Sequence, residues 1–381
     1  MGRATIGLDL SGERLTAVYE IAGSAEDAVE RAAAICLEQT VEFPPDLIRR
    51  ADIHDQIVGR VAGIEPLADD RHQAAIEYPV EIAGDELPQL LNVLFGNVSL
   101  LPGIRLVRFD LPAALSDRFR GPRFGRAGLR ERCGVPERPL LATAIKPLGL
   151  SPRELADLAG ALARGGIDLI KDDHGLADQE FSPFEERVTR CAAAVAEANS
   201  STGRNCLYLP NVTAPFDRLL ARALFARRAG AGGLVVSPGL AGIDGMRRLA
   251  DDDVLGLPIM CHPALLGSFA VSPDTGIAHG ALFGQIARLA GADATIFPSF
   301  GGRFSFSEDE CRDLRDGTSR QMGSIAPCFP VPAGGMTLAR VPRMIEFYGD
   351  DVILLIGGDL HRHGDSVEDG CRRFLELVDR G

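Results

Sequence analysis

The chain has 381 residues, of which 46% are hydrophobic and 24% are charged, and its formal net charge is −13. This length exceeds the usual size of a single hydrophobic core, so we expect one large domain and one smaller domain. An acidic chain without a basic run excludes nucleic acid and anionic membrane surfaces as partners. No stretch approaches the roughly 18 apolar residues of a membrane span, so we expect a cytoplasmic protein.

Residues 1–112 predict a small α+β domain of the ferredoxin-like type. Strand and helix signals alternate there in the order β-α-β-β-α-β, which is the ferredoxin-like pattern. Ser24 followed by Asp27 is a capping signal for a helix that runs towards Cys36. Residues 113–138, rich in Arg, Gly and Pro, predict a linker.

Residues 139–381 predict an α/β architecture, a TIM (β/α)8 barrel. Short apolar runs recur along this segment and helical spacing separates them. The predicted strands lie near residues 140–145, 167–170, 206–210, 233–237, 257–261, 293–297, 327–331 and 352–356. Because reacting residues in such barrels come from the C-terminal strand ends, the residues that follow each run are the candidates for a site.

The second of these strand ends carries a cluster of charge. Lys171, Asp173 and His174 directly follow an apolar run. An uncharged lysine amine can add CO2 to form a carbamate, and with an aspartate this offers anionic oxygen ligands to a hard cation such as Mg²⁺. A solvated loop of salt bridges is the alternative interpretation.

A set of short motifs follows a fixed order from about residue 14 to residue 370. They are Gly96-Asn97-Val98, Phe119-Arg120-Gly121-Pro122, Arg138-Pro139-Leu140-Leu141, Ile145-Lys146-Pro147, the Gly165 to His174 stretch, Leu209-Pro210-Asn211-Val212-Thr213-Ala214, Ala333-Gly334-Gly335 and Ile356-Gly357-Gly358. In this order they resemble the large subunit of ribulose-bisphosphate carboxylase (RuBisCO) and its non-carboxylating relatives, the RuBisCO-like proteins. Each motif is short, but the ordered set is specific.

The resemblance implies roles for the charged strand ends. Lys146 would handle protons on the substrate carbons, and Lys171, as a carbamate, would hold Mg²⁺ or another divalent cation together with Asp173 and His174. His174 stands where the family has a glutamate. A neutral imidazole would weaken the site, favour manganese or zinc, or carry a proton beside the metal. A metal-free site with Lys171 as an amine is the alternative.

Other positions correspond to phosphate and substrate contacts of the family. Gly335, Gly357 and Gly358 lie in Gly-Gly turns after the last two predicted strands, where barrels expose backbone N–H groups to a phosphate. Asn211 is a further candidate for substrate binding. His262 could donate a hydrogen bond to a substrate hydroxyl, with a structural role as the alternative.

The chain departs from the family at the second phosphate site. Pro263 replaces an arginine, and Pro263, Leu265, Phe297 and Pro298 predict an apolar wall that suits a monophosphate better than a bisphosphate. Arg303 takes the place of the lysine of the flexible sixth loop. Its planar guanidinium can bind a carboxylate or phosphate at two points.

These residues predict a RuBisCO-like enzyme that forms a metal-stabilised enediolate from a phosphorylated keto sugar and does not fix CO2. Arg303 slightly favours a lyase, of the type of 3-oxo-isoapionate-4-phosphate decarboxylase. The apolar wall favours a methylthio substrate, as in 5-methylthioribulose-1-phosphate isomerase or 2,3-diketo-5-methylthiopentyl-1-phosphate enolase. A non-catalytic phosphosugar-binding scaffold is the third hypothesis. Glu38 and Asn97 match residues that the family lends to a neighbouring subunit, so we expect a homodimer or an assembly of dimers.

Overall fold

The computed structural model describes residues 7–302 and 306–379. They divide into two compact units. The first unit comprises the residues up to Phe119 together with Gly267–Gln285 and Gln321–Ile325, and the second comprises Arg120–Leu266, Ile286–Arg320 and the residues from Ala326 onward. Each unit therefore draws on more than one segment of the chain.

The first unit is built on an antiparallel sheet. Its strands are β1 (Arg14–Ala22), β2 (Arg60–Pro66), β3 (Arg71–Pro79) and β4 (Ile104–Asp110), with β10 (Gly276–Ile277) added in parallel beside β4. The sheet order is β10-β4-β1-β3-β2. Helix α1 (Ala25–Glu38) follows β1 and helix α3 (Leu87–Phe95) follows β3. This β-α-β-β-α-β order confirms the predicted ferredoxin-like domain.

The capping signal at the start of α1 is present in the structure. The Ser24 hydroxyl accepts a hydrogen bond from the Asp27 N–H at 3.2 Å, and the Asp27 carboxylate accepts one from the Ser24 N–H at 2.9 Å. This capping box satisfies N–H groups that the helix itself leaves unpaired. Helix α1 ends at Glu38.

The second unit contains eight parallel strands. They are β5 (Leu140–Ile145), β6 (Leu169–Asp172), β7 (Leu207–Leu209), β8 (Leu234–Val236), β9 (Ile259–Cys261), β11 (Ala294–Pro298), β12 (Phe329–Ala333) and β13 (Ile353–Ile356). They pair in two runs, β13-β5-β6-β7 and β12-β11-β9-β8. A parallel bridge from Asn211 to Val235 joins the runs on one side, and β12 lies against β13 on the other. The strands therefore close into the predicted TIM barrel.

Helices cover the connections between these strands. In the first unit α2 (Ala51–Gln56), α4 (Ala113–Ser116) and α11 (Gly267–Ala270) accompany α1 and α3. In the second unit the helices are α5 (Gly125–Cys133), α6 (Pro152–Arg164), α7 (Phe184–Thr202), α8 (Phe216–Arg228), α9 (Pro238–Ala241), α10 (Ile243–Ala250), α12 (Ala287–Leu289), α13 (Glu308–Gly317), α14 (Val341–Tyr348) and α15 (Val367–Val378). Shorter turns are Pro45–Leu47, Val80–Ile82, Asn97–Leu100, Leu338–Arg340 and Gly358–Arg362, and a π-helix spans Gly280–Ile286. Among the described helices, none has the length and apolarity needed to cross a membrane.

The segment 113–138 has a definite structure. It was predicted as a linker, and it contains the helices α4 and α5. The carboxylate of Asp293 anchors the start of α5 by accepting the N–H groups of Phe124 and Gly125 at 2.7 Å each. The domain boundaries at residues 112 and 138 stay predictions.

Alternate residues of the barrel strands form one core. Its strand members are Leu140, Ala142, Leu169, Leu209, Val235, Met260, Ala294, Ile296, Phe329, Val331 and Ile353. Because side chains alternate across a strand, residues at even spacing from these face the barrel interior. At the C-terminal ends, Lys146, Lys171, Asp173, Asn211 and His262 continue the interior set, and Asp172 belongs to the opposite face.

Candidate active site

Lys171 ends the interior set of β6 and is almost fully buried, with 2% of its surface exposed. Its ammonium donates a hydrogen bond to the carbonyl oxygen of Asp172 at 2.7 Å. Burial lowers the pKa of Lys171 to about 8, although the negative charges of Asp173 and Asp172 oppose this shift. Roughly a tenth of such side chains is uncharged at pH 7. Lys171 can therefore supply a nucleophilic amine under mild conditions.

Lys146 and Asp173 form an ion pair across the ends of β5 and β6. The distance from Lys146 Nζ to Asp173 Oδ2 is 2.6 Å, and 47% of the lysine side chain is exposed. The other carboxylate oxygen, Oδ1, accepts the Gly175 N–H at 3.0 Å. Burial alone would raise the pKa of Asp173, but the hydrogen bonds from Lys146 and from the Gly175 N–H outweigh it and the pKa is lowered. Asp173 is thus a carboxylate at neutral pH.

His174 and His262 bring two imidazoles together. Their rings stack with centroids 4.6 Å apart and planes 12° apart, and His174 Nδ1 lies 3.5 Å from Asp173 Oδ1. His262 Nδ1 accepts the Ala264 N–H at 3.2 Å, which leaves the ring proton on Nε2. Burial, and then the positive charges of Lys171 and His174, lower the pKa of His262 to about 3. His262 is therefore a neutral hydrogen-bond donor.

Asp172 points away from the barrel interior, into a buried polar network. Its carboxylate accepts hydrogen bonds from the Tyr208 hydroxyl at 2.6 Å, from Arg187 Nε at 3.2 Å and from the Asn211 N–H at 3.1 Å. Arg187 and Asp172 are fully buried. The network fixes the end of β6 from behind and so orients Lys171 and Asp173. The sequence analysis assigned Asp172 no role, although strand alternation separates it from Asp173.

The side chain of Asn211 holds the loop that carries the charged cluster. Its Nδ2 donates to the carbonyl oxygens of His174 at 3.1 Å and Leu176 at 2.9 Å, and its Oδ1 accepts the Thr213 N–H at 3.2 Å. In this structure Asn211 positions residues of the site. Its predicted contact with a substrate stays a prediction.

The predicted phosphate turns follow β12 and β13. Gly334 and Gly335 have φ of 85° and 98°, a left-handed backbone that favours glycine. Added Cβ atoms at Gly357 and Gly358 would meet nothing within 4 Å, so these turns border open space. A Cβ at Gly302 would lie 2.0 Å from the Gly334 carbonyl oxygen, which shows how closely the loop after β11 approaches the first turn.

The prediction of an apolar wall is wrong for one of its residues, Phe297. Phe297 is fully buried and packs on the ring of Tyr348, with centroids 6.0 Å apart. The reason is strand alternation, since its neighbour Ile296 belongs to the interior core and Phe297 faces the helices. Leu265 remains at the rim, 57% exposed and with a φ of 69°. Arg303 lies outside the described residues.

Glu38 and Asn97 meet within the first unit. The Asn97 amide nitrogen donates to the Glu38 carboxylate at 2.9 Å. The neighbouring Gln39 donates to the carbonyl oxygens of Asn92 and Val93 at 2.8 Å each and accepts the Val98 N–H at 3.1 Å. The two residues therefore form a single polar feature. Their place in a neighbouring subunit's site stays a prediction.

The side chains of this site could hold a metal ion only if Lys171 were modified. Within residues 7–302 and 306–379, no group of three or more His, Cys, Asp and Glu side chains could hold a metal. Asp173 and His174 offer one oxygen and one nitrogen donor. A carbamate on Lys171 would add the third ligand, and the buried amine of lowered pKa is suited to forming it.

The amino-acid composition also points to the two lysines of the site. The chain has 40 lysines and arginines, and Lys146 and Lys171 are the only two lysines. Arginine stays protonated in proteins and cannot act as a nucleophilic amine or an acid–base group near neutral pH. Lys146 and Lys171 are therefore the only side chains of the sequence that could supply a lysine amine for chemistry.

A closed parallel barrel with its polar residues at the C-terminal strand ends defines the class of β/α-barrel enzymes, here with an additional ferredoxin-like unit. The family model described as ribulose bisphosphate carboxylase large chain, catalytic domain, matches residues 126–374. The chain belongs to the RuBisCO large-chain family.

Individual relatives extend over almost the whole chain. Ribulose bisphosphate carboxylase-like protein 1 of Rhodopseudomonas palustris is 41% identical over 371 residues, which cover 97% of this chain and 99% of that protein. The 5-methylthioribulose-1-phosphate isomerase of Rhodospirillum rubrum is 40% identical, covering 96% of each chain. The 2,3-diketo-5-methylthiopentyl-1-phosphate enolase of Geobacillus thermodenitrificans is 36% identical, covering 84% of this chain and 81% of that protein.

Solved structures show the same fold. The RuBisCO-like protein from Rhodopseudomonas palustris superposes with a TM-score of 0.87 at 41% identity, covering 96% of this chain and 97% of that one. An octameric RuBisCO from Pyrococcus horikoshii has a TM-score of 0.87 at 28% identity, covering 98% and 89%. A dimeric archaeal RuBisCO from Hyperthermus butylicus has a TM-score of 0.85 at 26% identity, covering 98% and 91%.

The family and the named isomerase and enolase relatives identify this protein as a RuBisCO-like enzyme. The hypothesis of a non-catalytic scaffold is therefore not supported. Structural neighbours of the chain are oligomers, one a dimer and one an octamer.

Proposed function

We propose that this protein converts a phosphorylated keto sugar with a methylthio tail through an enediolate, as an isomerase or an enolase. The observation that carries the proposal is the Lys146–Asp173 ion pair of 2.6 Å at the barrel mouth, with Lys171 next to it. Among relatives, a 5-methylthioribulose-1-phosphate isomerase is 40% identical over 96% of both chains. These relatives favour this reaction over the decarboxylase that Arg303 slightly favoured.

Lys146 is the residue that would move the proton. Formation of an enediolate requires removal of a proton from a carbon next to a carbonyl, and a positioned side chain performs this transfer. Lys146 Nζ is ion-paired with Asp173 Oδ2 at 2.6 Å, and a cation bound at that oxygen would release it, so that its neutral amine could take the proton from the substrate carbon. Protonation of the enediolate at the neighbouring carbon then moves the carbonyl and completes an isomerisation.

The other charged residues would stabilise the oxygens of the enediolate. His262 presents a neutral ring with its proton on Nε2, which suits donation to a substrate oxygen. Lys171, Asp173 and His174 would hold Mg²⁺ or another divalent cation, with Lys171 as a carbamate. A cation bound there would neutralise negative charge on the enediolate oxygens. His174 contributes a nitrogen donor, which favours manganese or zinc over magnesium.

The phosphate of the substrate would bind at the turns Gly335 and Gly357-Gly358. Glycines there leave room for a phosphate to approach backbone N–H groups. The substrate's other end would lie towards Pro263, Leu265 and Pro298, which offer no cation for a second phosphate.

We also propose that the active form is a homodimer, or an assembly of dimers, that shares its sites. Glu38 and Asn97 form a polar pair between the end of helix α1 and the start of the turn Asn97–Leu100. In the family such residues complete the barrel of a neighbouring subunit. Closure of the site in this way would exclude water from the enediolate.

The test is a parallel assay in deuterated water. Purified protein with Mg²⁺ or Mn²⁺ and bicarbonate is incubated with 5-methylthioribulose 1-phosphate, 2,3-diketo-5-methylthiopentyl 1-phosphate or 3-oxo-isoapionate 4-phosphate, and proton NMR follows each sample. We expect carbonyl migration or deuterium uptake with a methylthio substrate. Loss of carboxylate from the third compound alone would contradict the proposal. Incorporation of labelled CO2 into ribulose bisphosphate would contradict the expectation that the enzyme does not fix CO2.

A further inference from the structure

Arg340 lies between the first phosphate turn and helix α14. Its guanidinium donates from Nη1 to the carbonyl oxygen of Gly335 at 2.9 Å and from Nη2 to the carbonyl oxygen of Phe300. Phe300 belongs to the loop after β11, and Gly335 belongs to the loop after β12. The side chain of Arg340 therefore joins the two loops directly at the turn that was predicted to receive a phosphate.

Among the described residues, Arg340 has no acidic partner. In the part of the chain that the structure describes, no carboxylate lies within ion-pairing distance of this guanidinium. Arg343, one turn further along, instead pairs with Glu346 at 2.9 Å and with Glu308 at 2.9 Å. A guanidinium has more N–H donors than the two bonds of Arg340 use. Arg340 thus keeps donors and a full charge available for an anion.

Two hydrogen bonds from backbone N–H groups link the loops after β11, β12 and β13. The Ser299 N–H donates to the Ala333 carbonyl oxygen at 2.9 Å, which ties the loop after β11 to the end of β12. The Leu338 N–H donates to Asp359 Oδ2 at 3.1 Å, which ties the loop after β12 to the loop after β13. The same oxygen of Asp359 lies 2.8 Å from His363 Nε2, so this nearby carboxylate already has partners.

We propose that Arg340 is a phosphate-binding residue, and that its guanidinium supplies the positive charge of the site formed by Gly335, Gly357 and Gly358. The inference rests on the proposed function, because the phosphate that Arg340 would bind is the phosphate of the substrate proposed above. Backbone N–H groups carry no full positive charge to balance the two charges of a phosphate monoester, and the hydrogen bond to the Gly335 carbonyl oxygen places the Arg340 guanidinium at this turn. Lys146 is engaged by Asp173 at 2.6 Å, and an arginine that the family has at another phosphate site is Pro263 here.

The proposal is tested by titrating inorganic phosphate into the purified full-length protein at constant ionic strength, with isothermal calorimetry. Arg340→Gln is expected to weaken phosphate binding by about tenfold or more, the value of a charge-assisted hydrogen bond. Arg343→Gln is the matched control, because its guanidinium is already paired, and should bind phosphate like the parent protein. Arg340→Lys is expected to lie between them, since an ammonium keeps the charge but lacks the planar fork.

Two further readouts separate phosphate binding from loop positioning. If Arg340→Gln unfolds at a lower temperature but binds phosphate with parental affinity, Arg340 only positions the loops and the proposal is wrong. The proposal is also wrong if the parent protein shows no saturable phosphate binding. Phosphate binding that depends on Arg340, without turnover of any methylthio phosphosugar, would leave this assignment in place and overturn the proposed function. With a substrate in hand, Arg340→Gln should raise KM more than it lowers kcat.

Discussion

Lys146 and Asp173 form an ion pair with Nζ and Oδ2 2.6 Å apart, although helix α6 separates the two residues in the sequence. Two adjacent parallel strands, β5 and β6, end side by side and bring them together. The ammonium group therefore occupies one of the oxygens that a divalent cation would need. This competition makes the lysine and the cation alternatives at Asp173 Oδ2.

Removal of this lysine should tighten the binding of a divalent cation. With Lys146→Ala, Asp173 Oδ2 loses its competing cation, and we expect Mn²⁺ in the presence of bicarbonate to bind roughly two- to fivefold more tightly, as suits a partly exposed ion pair. The same variant should be inactive, because the proposed function assigns the proton transfer to Lys146. The concentration of free Mn²⁺, followed by electron paramagnetic resonance, gives the dissociation constant.

Two controls define the outcome for Lys146. Lys146→Arg keeps a positive charge near the carboxylate and should leave Mn²⁺ affinity close to that of the parent protein. Asp173→Asn should weaken Mn²⁺ binding in either background. Unchanged or weaker binding in Lys146→Ala would show that the ammonium does not compete for Asp173.

The reactivity of Lys171 should change near pH 8. Burial lowers its pKa to about 8, so the amine is protonated and unreactive well below this pH and becomes nucleophilic above it. Trace labelling with acetic anhydride, followed by mass spectrometry of the peptide that contains residue 171, should show a midpoint close to pH 8. Because Lys146 is the only other lysine, the two labelled peptides are easily distinguished. A midpoint above pH 10 would contradict the lowered pKa.

Substitutions of the neighbouring residues Asp172 and Asp173 should affect different properties. The change at Asp172 should lower stability, and the change at Asp173 should abolish activity. Asp172→Ala leaves Arg187 buried without its carboxylate, and loss of one partner of such a pair costs about 3–5 kcal/mol. Thermal unfolding followed by circular dichroism should therefore show a large loss of stability. Asp173→Asn should unfold near the parental temperature and lose activity. Equal effects of both changes on stability would argue against this division of roles.

Mixing two inactive variants tests whether sites are shared between subunits. Lys146→Ala removes a residue of the barrel, and Asn97→Ala removes one from the first unit. If each site draws on both subunits, a mixed dimer has one intact site, so part of the activity should return after subunit exchange. Light scattering verifies the dimer, and differently tagged chains verify the exchange. An active monomer, or no recovery after exchange, would contradict the shared site.

Much of the architecture could be predicted from the sequence, because it depends on local patterns. The eight barrel strands lie within a few residues of the apolar runs that predicted them, since burial on both faces of a strand demands such runs. Residues that follow these runs were found at the barrel mouth for the same reason. Lys171 and His262 are therefore visible in the sequence as strand-end residues.

Only the tertiary structure decided which of these residues interact. The pairing of Lys146 with Asp173, the stacking of His174 on His262 and the bridge from Arg340 to Phe300 all join loops from different strands. Their spacing in the sequence carries no signal for the contact. Such contacts arise when the barrel closes, because closure is what brings the C-terminal ends of strands that are distant in the chain to one rim.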